Sequence, residues 1–329
     1  MTQLRIYKTG EGFHEETGIG KLAEYAEGEG SVVWVALQDA TPEELTALET
    51  VLHLHPMTME DLDHNEDRPR LRQYDNILSL VFFAVRGLDG ADADVDFQPV
   101  NVFAGRRFIV SLVTGEMPEL DEAYGRWKNN AERLPSDAGA PMYCVLDTLV
   151  DGYFPVIDRL ADQVDDVEDQ VIASHSATAL PAIFALKKSM LRFRRVASAG
   201  RDAVNSLVVR DEVFGRDNLI FLQDVYDHIV RITDSVDTYR DLLSNAMETY
   251  LSVTSNLLAE NSNKLNVTMQ TLTSWSIIIG SGAVITGVYG MNVEGIPFRH
   301  GQHGFVSVML VMFGVAIALA GLFRRKGWI

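Results

Sequence analysis

The sequence contains a single cysteine, Cys144, among 329 residues. One thiol cannot form a disulfide within the chain, and it cannot supply the ligands of a cysteine-based zinc cluster. Basic residues are also few, because 28 Lys and Arg stand against 46 Asp and Glu, which gives a formal net charge of -18. A field of that sign repels phosphate backbones and concentrates cations, so the composition argues against nucleic acid as a partner.

Charge is absent from two long stretches near the C-terminus. No charged residue lies between Lys264 and Glu294, and residues 304–323 form a second charge-free run that ends at Arg324, Arg325 and Lys326. Each run reaches the roughly 20 residues that a helix needs to cross hydrocarbon. A pair of buried core helices is the alternative, but core helices seldom run this long without a charge. The sequence therefore predicts two membrane spans.

The basic cluster after the second run is typical of a cytoplasmic flank. Two spans return the chain to its starting side, so both termini and the large N-terminal part are expected in the cytoplasm. Residues 1–16 contain no apolar stretch of the kind found in signal peptides. We therefore expect a multi-pass protein of the inner, cytoplasmic membrane, in contact with the lipid bilayer.

The first part of the chain, residues 1–140, has the pattern of a small cytosolic α/β domain. Short runs rich in β-branched and aromatic side chains predict buried strands at residues 31–37, 77–85 and 108–113. Helix starts are predicted at Thr41-Pro42 and at His55-Pro56. The glycines of this part form no dinucleotide-binding or P-loop fingerprint.

Residues 141–264 are predicted to form a stalk of long helices, the first at residues 142–172 and the second at residues 180–210. No proline lies between Pro181 and Pro297. One helix of about 100 Å is therefore expected over residues 217–289. Apolar side chains recur along it at alternating spacings of three and four, which predicts a packing seam at Val236, Tyr239, Leu243, Ala246, Tyr250, Val253 and Leu257. So long a helix needs partners along its length, so we expect a symmetric oligomer.

The last part, residues 265–329, carries both spans, and the first span has a stripe of small and polar side chains. The stripe follows helical spacing at Asn266, Met269, Thr273, Ser276, Gly280, Ala283 and Gly287. It indicates either a close-packed helix interface or the lining of a narrow neutral pore. A neutral lining suits a small divalent cation that dehydrates reluctantly, because the ion can pass with its water attached.

Other function classes have less support. A membrane-anchored signalling or scaffold protein is one alternative, although a simple anchor has no use for a polar stripe. An enzyme is not predicted, and no cofactor is expected, because no nucleophile motif, phosphate loop or paired metal motif stands out. The acidic run Asp165, Asp166, Glu168 and Asp169 is interpreted as a solvated helix face that enriches cations.

The stripe ends at Tyr289, Gly290, Met291 and Asn292, followed by a short loop and the second span. A Gly-Met-Asn tripeptide at this place, with a basic tail after the second span, resembles the signature of the CorA family of divalent-cation channels. Further segments are similar to family segments, so the resemblance extends over nearly the whole chain: residues 55–62, 68–70, 146–154, 223–241 and 269–273.

The resemblance implies a homopentamer with a funnel of long helices under the α/β domain. It implies that Asn292, in the motif with Gly290 and Met291, holds a hydrated ion at the outer mouth. The inner pore would be lined by Asn266, Met269, Leu272, Ser276, Gly280, Ala283 and Gly287. Sites that sense intracellular divalent cations would lie between subunits, at Glu60, Asp61, Asp147 and Asp224 with nearby His228. A basic ring at the cytosolic boundary is expected from Arg324, Arg325 and Lys326.

Departures from the family pattern affect the prediction of which divalent cation the protein transports. Many magnesium-type members carry a Met-Pro pair where this chain has Gly280-Ser281, which predicts a less kinked helix and a wider or more flexible pore. The loop has Phe298 in place of an acid and contains His300 and His303, which raises the zinc-transporting ZntB branch. The prediction is a channel for Mg²⁺, with Co²⁺ or Ni²⁺ as further ions and Mg²⁺ also as the regulatory ion. The alternative is a Zn²⁺ transporter, which would work either with or without coupling to protons.

Overall fold

The computed structural model describes residues 2–20, 22–28, 30–63, 68–86, 95–173, 178–210, 213–291, 296–297 and 303–329. These residues divide into two compact units, Met1–Tyr250 and Leu251–Ile329. The predicted three-part division at residues 140 and 264 stays a prediction.

The first unit contains a mixed seven-stranded sheet with the strand order β2-β1-β3-β7-β6-β5-β4. The strands are β1 (Thr2–Lys8), β2 (Gly12–Thr17), β3 (Ser31–Gln38), β4 (Arg70–Tyr74), β5 (Ile77–Arg86), β6 (Asp96–Ala104) and β7 (Phe108–Val113). β3 and β7 are parallel, and the other neighbouring pairs are antiparallel. The strands predicted at residues 31–37, 77–85 and 108–113 are confirmed as β3, β5 and β7.

Strand β3 shows why the predicted strands are continuous apolar runs. Val33, Val35 and Leu37 pack into the core on one face of the sheet, and Val32 and Trp34 pack into the core on the other. Successive side chains of a strand point to opposite faces. A strand that is buried on both faces therefore needs apolar side chains at every position.

Helices cover both faces of this sheet. On the first face lie α1 (Leu22–Glu27) and α2 (Pro42–Leu52), which contribute Leu22, Leu48 and Leu52 to the core. The second core is formed with α4 (Pro118–Asn130), α5 (Gly139–Asp151), α6 (Tyr153–Ala173), α7 (Ala179–Arg210) and the beginning of α8 (Leu219–Gly290). The predicted N-terminal α/β domain is confirmed, and its second core also includes residues of α5, α6, α7 and α8, which lie beyond residue 140.

The two predicted helix starts are confirmed. Thr41 caps α2 through a reciprocal pair of hydrogen bonds, in which its hydroxyl accepts the Glu44 N–H at 3.2 Å and its own N–H donates to the Glu44 carboxylate at 3.0 Å. Helix α3 (Pro56–Asp63) begins after His55, whose Nδ1 accepts the Met57 N–H at 3.2 Å. These caps satisfy donors that the first helical turn leaves without an intrahelical partner.

The prediction of one helix over residues 142–172 is wrong, because the structure has two helices there. α5 ends at Asp151 and α6 begins at Tyr153. Pro155 has no N–H to donate to the Asp151 carbonyl, and its ring restricts the preceding turn, so the helix is interrupted at Gly152. The second predicted helix is confirmed as α7.

The longest helix, α8, has 72 residues and follows a short 3-10 turn, Arg216–Asn218. Its bounds agree with the expected helix at residues 217–289. In the seam, Val236, Leu243 and Ala246 are buried in the core of the first unit, and Tyr239 and Tyr250 pack against that core. This part of the seam therefore packs within its own chain and does not require a second subunit.

A buried hydrogen-bonded joint fixes the start of α8. The fully buried Asn218 donates through Nδ2 to both carboxylate oxygens of Asp137, at 2.8 and 2.9 Å. The same carboxylate accepts the N–H groups of Gly139 and Gly215, each at 3.0 Å. A Cβ atom on Gly139 would overlap the Asn218 amide, so this position requires glycine.

We predict that Gly139→Ala destabilises the protein by about 1–3 kcal/mol, because the added methyl forces the Asn218–Asp137 joint apart. The matched control is Gly125→Ala in the middle of α4, where a Cβ would have no described atom within 4 Å. That change should be neutral or stabilising by up to about 1 kcal/mol, since alanine favours helix. Unfolding of the purified protein in urea, followed by tryptophan fluorescence, measures both. Equal stability of the two variants would contradict the role of the joint.

Candidate functional site

Two helices of the first unit bring acidic and imidazole side chains together. Asp147 and Asp151 lie one turn apart on α5, and Asp224 and His228 lie one turn apart on α8. Residues four apart share one face of a helix, so each helix presents two of these groups. Ligand atoms of Asp147, Asp224 and His228 lie within 4.8 Å of one another. We call Asp147, Asp151, Asp224 and His228 the cytosolic cluster, after the location that the sequence predicts for this part of the chain.

His228 lies between the carboxylates without a hydrogen bond to any of them. Its Nδ1 is 4.0 Å from Asp147 Oδ1 and 3.9 Å from Asp151 Oδ1, and its Nε2 is 3.9 Å from Asp224 Oδ1. These separations are longer than a hydrogen bond. Nδ1 is buried and has no hydrogen-bond partner in the described part of the chain. A cation or a water between imidazole and carboxylates would satisfy all of these groups.

A guanidinium group from α4 contacts the same cluster. Arg126 Nη1 donates to Asp147 Oδ2 at 2.7 Å and to Asp151 Oδ2 at 2.8 Å. Its Nη2 donates to Glu122 at 3.0 Å, one turn earlier on α4. The carboxylates of α5 thus have a cationic partner on the side away from His228.

Burial shapes the electrostatics of this region. Burial raises the pKa of the Asp147 carboxyl above its usual range, and the charge of Asp151 adds to the effect, whereas Arg126 and His228 oppose it. Burial also raises the pKa of the Tyr143 hydroxyl, and the charges of Asp147 and Asp224 raise it further. The pKa of the Cys144 thiol rises to about 12 for the same reasons, burial first and Asp147 second. The region therefore has a negative potential and an unreactive thiol.

The structure brings together three of the residues that were predicted to sense divalent cations, namely Asp147, Asp224 and His228. The other two, Glu60 and Asp61, lie on α3, and their side chains are outside the described residues. Sequence reasoning missed Asp151 and Arg126. Asp151 could have been found, because it follows Asp147 by one helical turn. Arg126 carried no such signal, because it comes from a different helix.

The second unit contains the C-terminal part of α8 and the helix α9 (Gly304–Arg325). α9 and the tail after it pack on one face of α8. The Thr271 hydroxyl donates to the Trp328 carbonyl at 3.1 Å, and Ser274 is fully buried. A Cβ on Gly282 would lie 3.7 Å from the Met312 sulfur. We call Thr271, Ser274 and Gly282 the covered face of α8.

The predicted pore stripe lies on the opposite side of α8. At 100° per residue, Ser276 and Ala283 point away from Ser274 and Ile278. Met269 and Leu272 are 64% and 67% exposed. A Cβ on Gly280 or Gly287 would have no described atom within 4 Å. The stripe at Asn266, Met269, Leu272, Ser276, Gly280, Ala283 and Gly287 is thus outside the face that α9 covers.

The remaining predicted groups lie in the sequence at or next to the ends of α8 and α9. Arg324 and Arg325 lie in the last turn of α9, and the Lys326 ammonium is 5.6 Å from the centre of the Trp328 ring. α8 ends at Gly290, and the exposed Met291 follows it. Asn292 and His300 are outside the described residues. His303 precedes α9 and makes no side-chain capping bond to it.

Both helices of this unit are long and apolar enough to cross a membrane by length and composition. The second, α9, is a membrane-span candidate of 22 residues, and the first is the continuation of α8. They correspond to the two charge-free runs.

Proteins of one transporter family match this chain in sequence over most of its length. The profile of the family described as CorA-like Mg²⁺ transporter protein matches residues 29–325. A Bacillus subtilis protein named as a metal ion transporter, YfjQ, is 28% identical over 90% of this chain and 89% of its own. The cobalt/magnesium transport protein CorA of Thermotoga maritima is 26% identical over 84% of this chain and 77% of its own.

Solved structures agree in fold. The complete CorA magnesium transporter of Methanocaldococcus jannaschii aligns with a TM-score of 0.70 and 19% identity, covering 100% of this chain and 99% of that one. The ZntB cytoplasmic domain of Vibrio parahaemolyticus aligns with a TM-score of 0.60 and 13% identity over 77% of this chain and 98% of that one. The fold alone therefore does not distinguish the ion. The chain belongs to the CorA-like Mg²⁺ transporter family, and it is a membrane protein that transports divalent cations rather than an enzyme.

Proposed function

We propose that the chain is one subunit of a homopentameric channel that conducts Mg²⁺, and also Co²⁺ or Ni²⁺, across the cytoplasmic membrane. The observation that carries this proposal is the stripe on α8, which lies opposite the face covered by α9. Two helices per chain cannot enclose a pathway, but several copies around an axis can. An axis that runs along the stripe gives a pore lined by small and neutral groups.

The chemistry of the stripe suits a hydrated cation. Ser276 donates its hydroxyl hydrogen to the Leu272 carbonyl at 2.8 Å, which leaves the lone pairs of the hydroxyl oxygen for water. Gly280, Ala283 and Gly287 leave room for the water shell. A ring of carboxylates in this place would bind a divalent cation too tightly to release it. Asn292, just beyond α8, completes the proposal as the neutral ligand of the hydrated ion at the outer mouth.

We propose that the cytosolic cluster is a regulatory site for divalent cations. Its donor set fits such an ion, because carboxylate oxygens suit Mg²⁺ and imidazole suits Co²⁺, Ni²⁺ and Zn²⁺. The buried Nδ1 of His228, which has no hydrogen-bond partner in the described ranges of the chain, is the observation that favours a bound cation over a purely structural cluster. Glu60 and Asp61 of a neighbouring subunit would complete the site, and a filled site would hold the pore closed.

The basic residues Arg324, Arg325 and Lys326 would mark the cytosolic end of the second span. Cations near a helix C-terminus are stabilised by its dipole and by anionic headgroups. Five copies around the axis would form a basic ring at the inner mouth. In this orientation the first unit and both termini lie in the cytoplasm.

A Zn²⁺ transporter is the second candidate, and His228 is the observation that favours it. Imidazole is a better ligand for Zn²⁺ than for Mg²⁺, and the fold is shared with a ZntB domain. The two candidates differ in cargo and in proton coupling rather than in architecture.

Ion flux into liposomes that contain the purified protein separates the two candidates. We expect Mg²⁺ and Co²⁺ uptake down their gradients without a pH gradient, since a neutral pore needs no proton to pass a hydrated ion. Protein-free liposomes are the control. Zn²⁺ uptake that requires a pH gradient, together with no Mg²⁺ uptake, would establish the second candidate instead.

Cysteine substitution tests the stripe directly. We predict that Ser276→Cys reacts with a small charged thiol reagent and that most of the Mg²⁺ flux is then lost, because position 276 faces water in the pore. Ser274→Cys on the covered face is the matched control and should not react, since Ser274 is fully buried. Native Cys144 is buried and its pKa is about 12, so it gives little background. Reaction at position 274 without reaction at position 276 would place the pathway elsewhere.

The cytosolic site is tested by the effect of Mg²⁺ on thermal stability. A ligand that binds the folded state raises the melting temperature, so Mg²⁺ should stabilise the wild-type protein in detergent. We predict that Asp147→Asn removes at least half of this Mg²⁺-dependent increment. Asp165→Asn, which removes one exposed carboxylate from α6, should retain it. The increment is the readout because Asp147→Asn also breaks the pair with Arg126 and lowers the Mg²⁺-free value.

A further inference from the structure

Arg126 is a positively charged side chain in direct contact with the carboxylates of the cytosolic cluster. Its side chain is 33% exposed and that of Asp147 is 11% exposed, so the pair is partly shielded from water. Charges in such an environment interact more strongly than charges on an open surface. The guanidinium also donates a hydrogen bond to Glu122, one turn earlier on α4, which keeps it at the edge of the cytosolic cluster.

The two carboxylates of α5 divide their oxygens between two sides. Asp147 Oδ2 and Asp151 Oδ2 both accept from Arg126 Nη1. Asp147 Oδ1 and Asp151 Oδ1 both lie toward His228 Nδ1, at 4.0 and 3.9 Å. One oxygen of each carboxylate is therefore held by the chain's own cation, and the other faces the place that the proposed function gives to a divalent ion.

We propose that Arg126 sets the affinity of the cytosolic site, as a tethered monovalent cation that offsets one of its three carboxylate charges and orients the Oδ1 atoms of Asp147 and Asp151. This inference rests on the proposed regulatory site. The affinity of an oxygen-ligand site for a divalent cation follows the number of its charged ligands and its rigidity. A site with three uncompensated carboxylates would stay filled when cytosolic Mg²⁺ falls, and the channel would then fail to open. Arg126 weakens the site so that it empties.

A purely structural ion pair would behave differently. The bond from Arg126 joins α4 to α5, and both helices already pack through Ala123, Trp127 and Val145 in the same core. If Arg126 only links these helices, its loss lowers thermal stability and leaves the divalent affinity unchanged. If it sets the affinity, its loss tightens binding even though the protein is less stable. The two roles therefore predict different effects of losing Arg126 on the affinity for the divalent cation.

The test is calorimetric titration of the full-length protein in detergent with MgCl₂ at pH 8, where competition by protons is small. The heat that Asp147→Asn removes identifies the cytosolic site. For Arg126→Gln we expect that site to bind Mg²⁺ roughly tenfold more tightly, since the repulsion of a divalent ion by a nearby charge is lost. Arg126→Met keeps the aliphatic stem and is the second neutral variant, for which the same tightening is expected.

Two further variants separate charge from side-chain shape. Arg126→Lys keeps the positive charge and should bind Mg²⁺ within about threefold of wild type. Lys128→Gln removes a positive charge from the same helix, where the ammonium pairs with Glu15 and not with the cytosolic cluster, so the Mg²⁺ affinity of this variant should not change. In liposomes, the internal Mg²⁺ concentration that halves the flux should fall roughly tenfold in Arg126→Gln, in step with the tighter site.

The outcomes distinguish this inference from the proposed function. If Asp147→Asn removes no heat and does not change closure, the regulatory site itself is wrong. If Asp147→Asn removes the heat but both neutral Arg126 variants bind with wild-type or weaker affinity, the site stands and the role of Arg126 is overturned. Tightening by Arg126→Lys equal to that by Arg126→Gln would also overturn it, because the charge would then not be the cause.

Discussion

Among the residues that the structure describes, helix α8 in the second unit is covered by its own chain on one side only. α9 and the tail pack on the face of Thr271, Ser274 and Gly282, while Ser276 and Ala283 point the other way. In hydrocarbon a hydroxyl or an open glycine gains little from lipid and more from a close helix or from water. One chain therefore leaves an α8 face that lipid satisfies poorly. The proposals of an oligomer and of a pore along its axis both depend on this one-sided packing.

The cytosolic cluster presents the opposite physical situation. Here the chain concentrates charge, with three carboxylates around one imidazole, and burial makes the ionised form of Asp147 costly. Arg126 compensates part of that cost on one side, and on the other side Nδ1 of His228 has no hydrogen-bond partner among the described residues. The cluster therefore combines partly compensated carboxylates with oxygen and nitrogen atoms of Asp147, Asp224 and His228 that lie within 4.8 Å of one another. Those are the properties that a reversible cation sensor requires.

The sequence was most informative where local patterns determine structure. β3 and β5 could be predicted because strands buried on both faces are continuous apolar runs, and α2 because its capping box is local. β2 and β4 were missed because they are short edge strands with many polar residues. The joint of Asp137 with Asn218, and the contact of Arg126 with Asp147, depend on residues that only the tertiary fold brings together. No spacing rule could have found them.

Transport and sensing place contrary demands on ligands for the same ion, and the proposed pore and the proposed sensor would meet these demands with different chemistry. A pathway has to release each ion quickly, which favours neutral oxygens and room for water, as on the stripe from Ser276 to Gly287. A sensor has to hold an ion at its working concentration and release it below that concentration, which favours charged ligands in limited number. In the cytosolic cluster that limit would come from Arg126, which already occupies one oxygen of each α5 carboxylate. The balance between Arg126 and its carboxylates would then decide the cytosolic Mg²⁺ concentration at which the channel changes state.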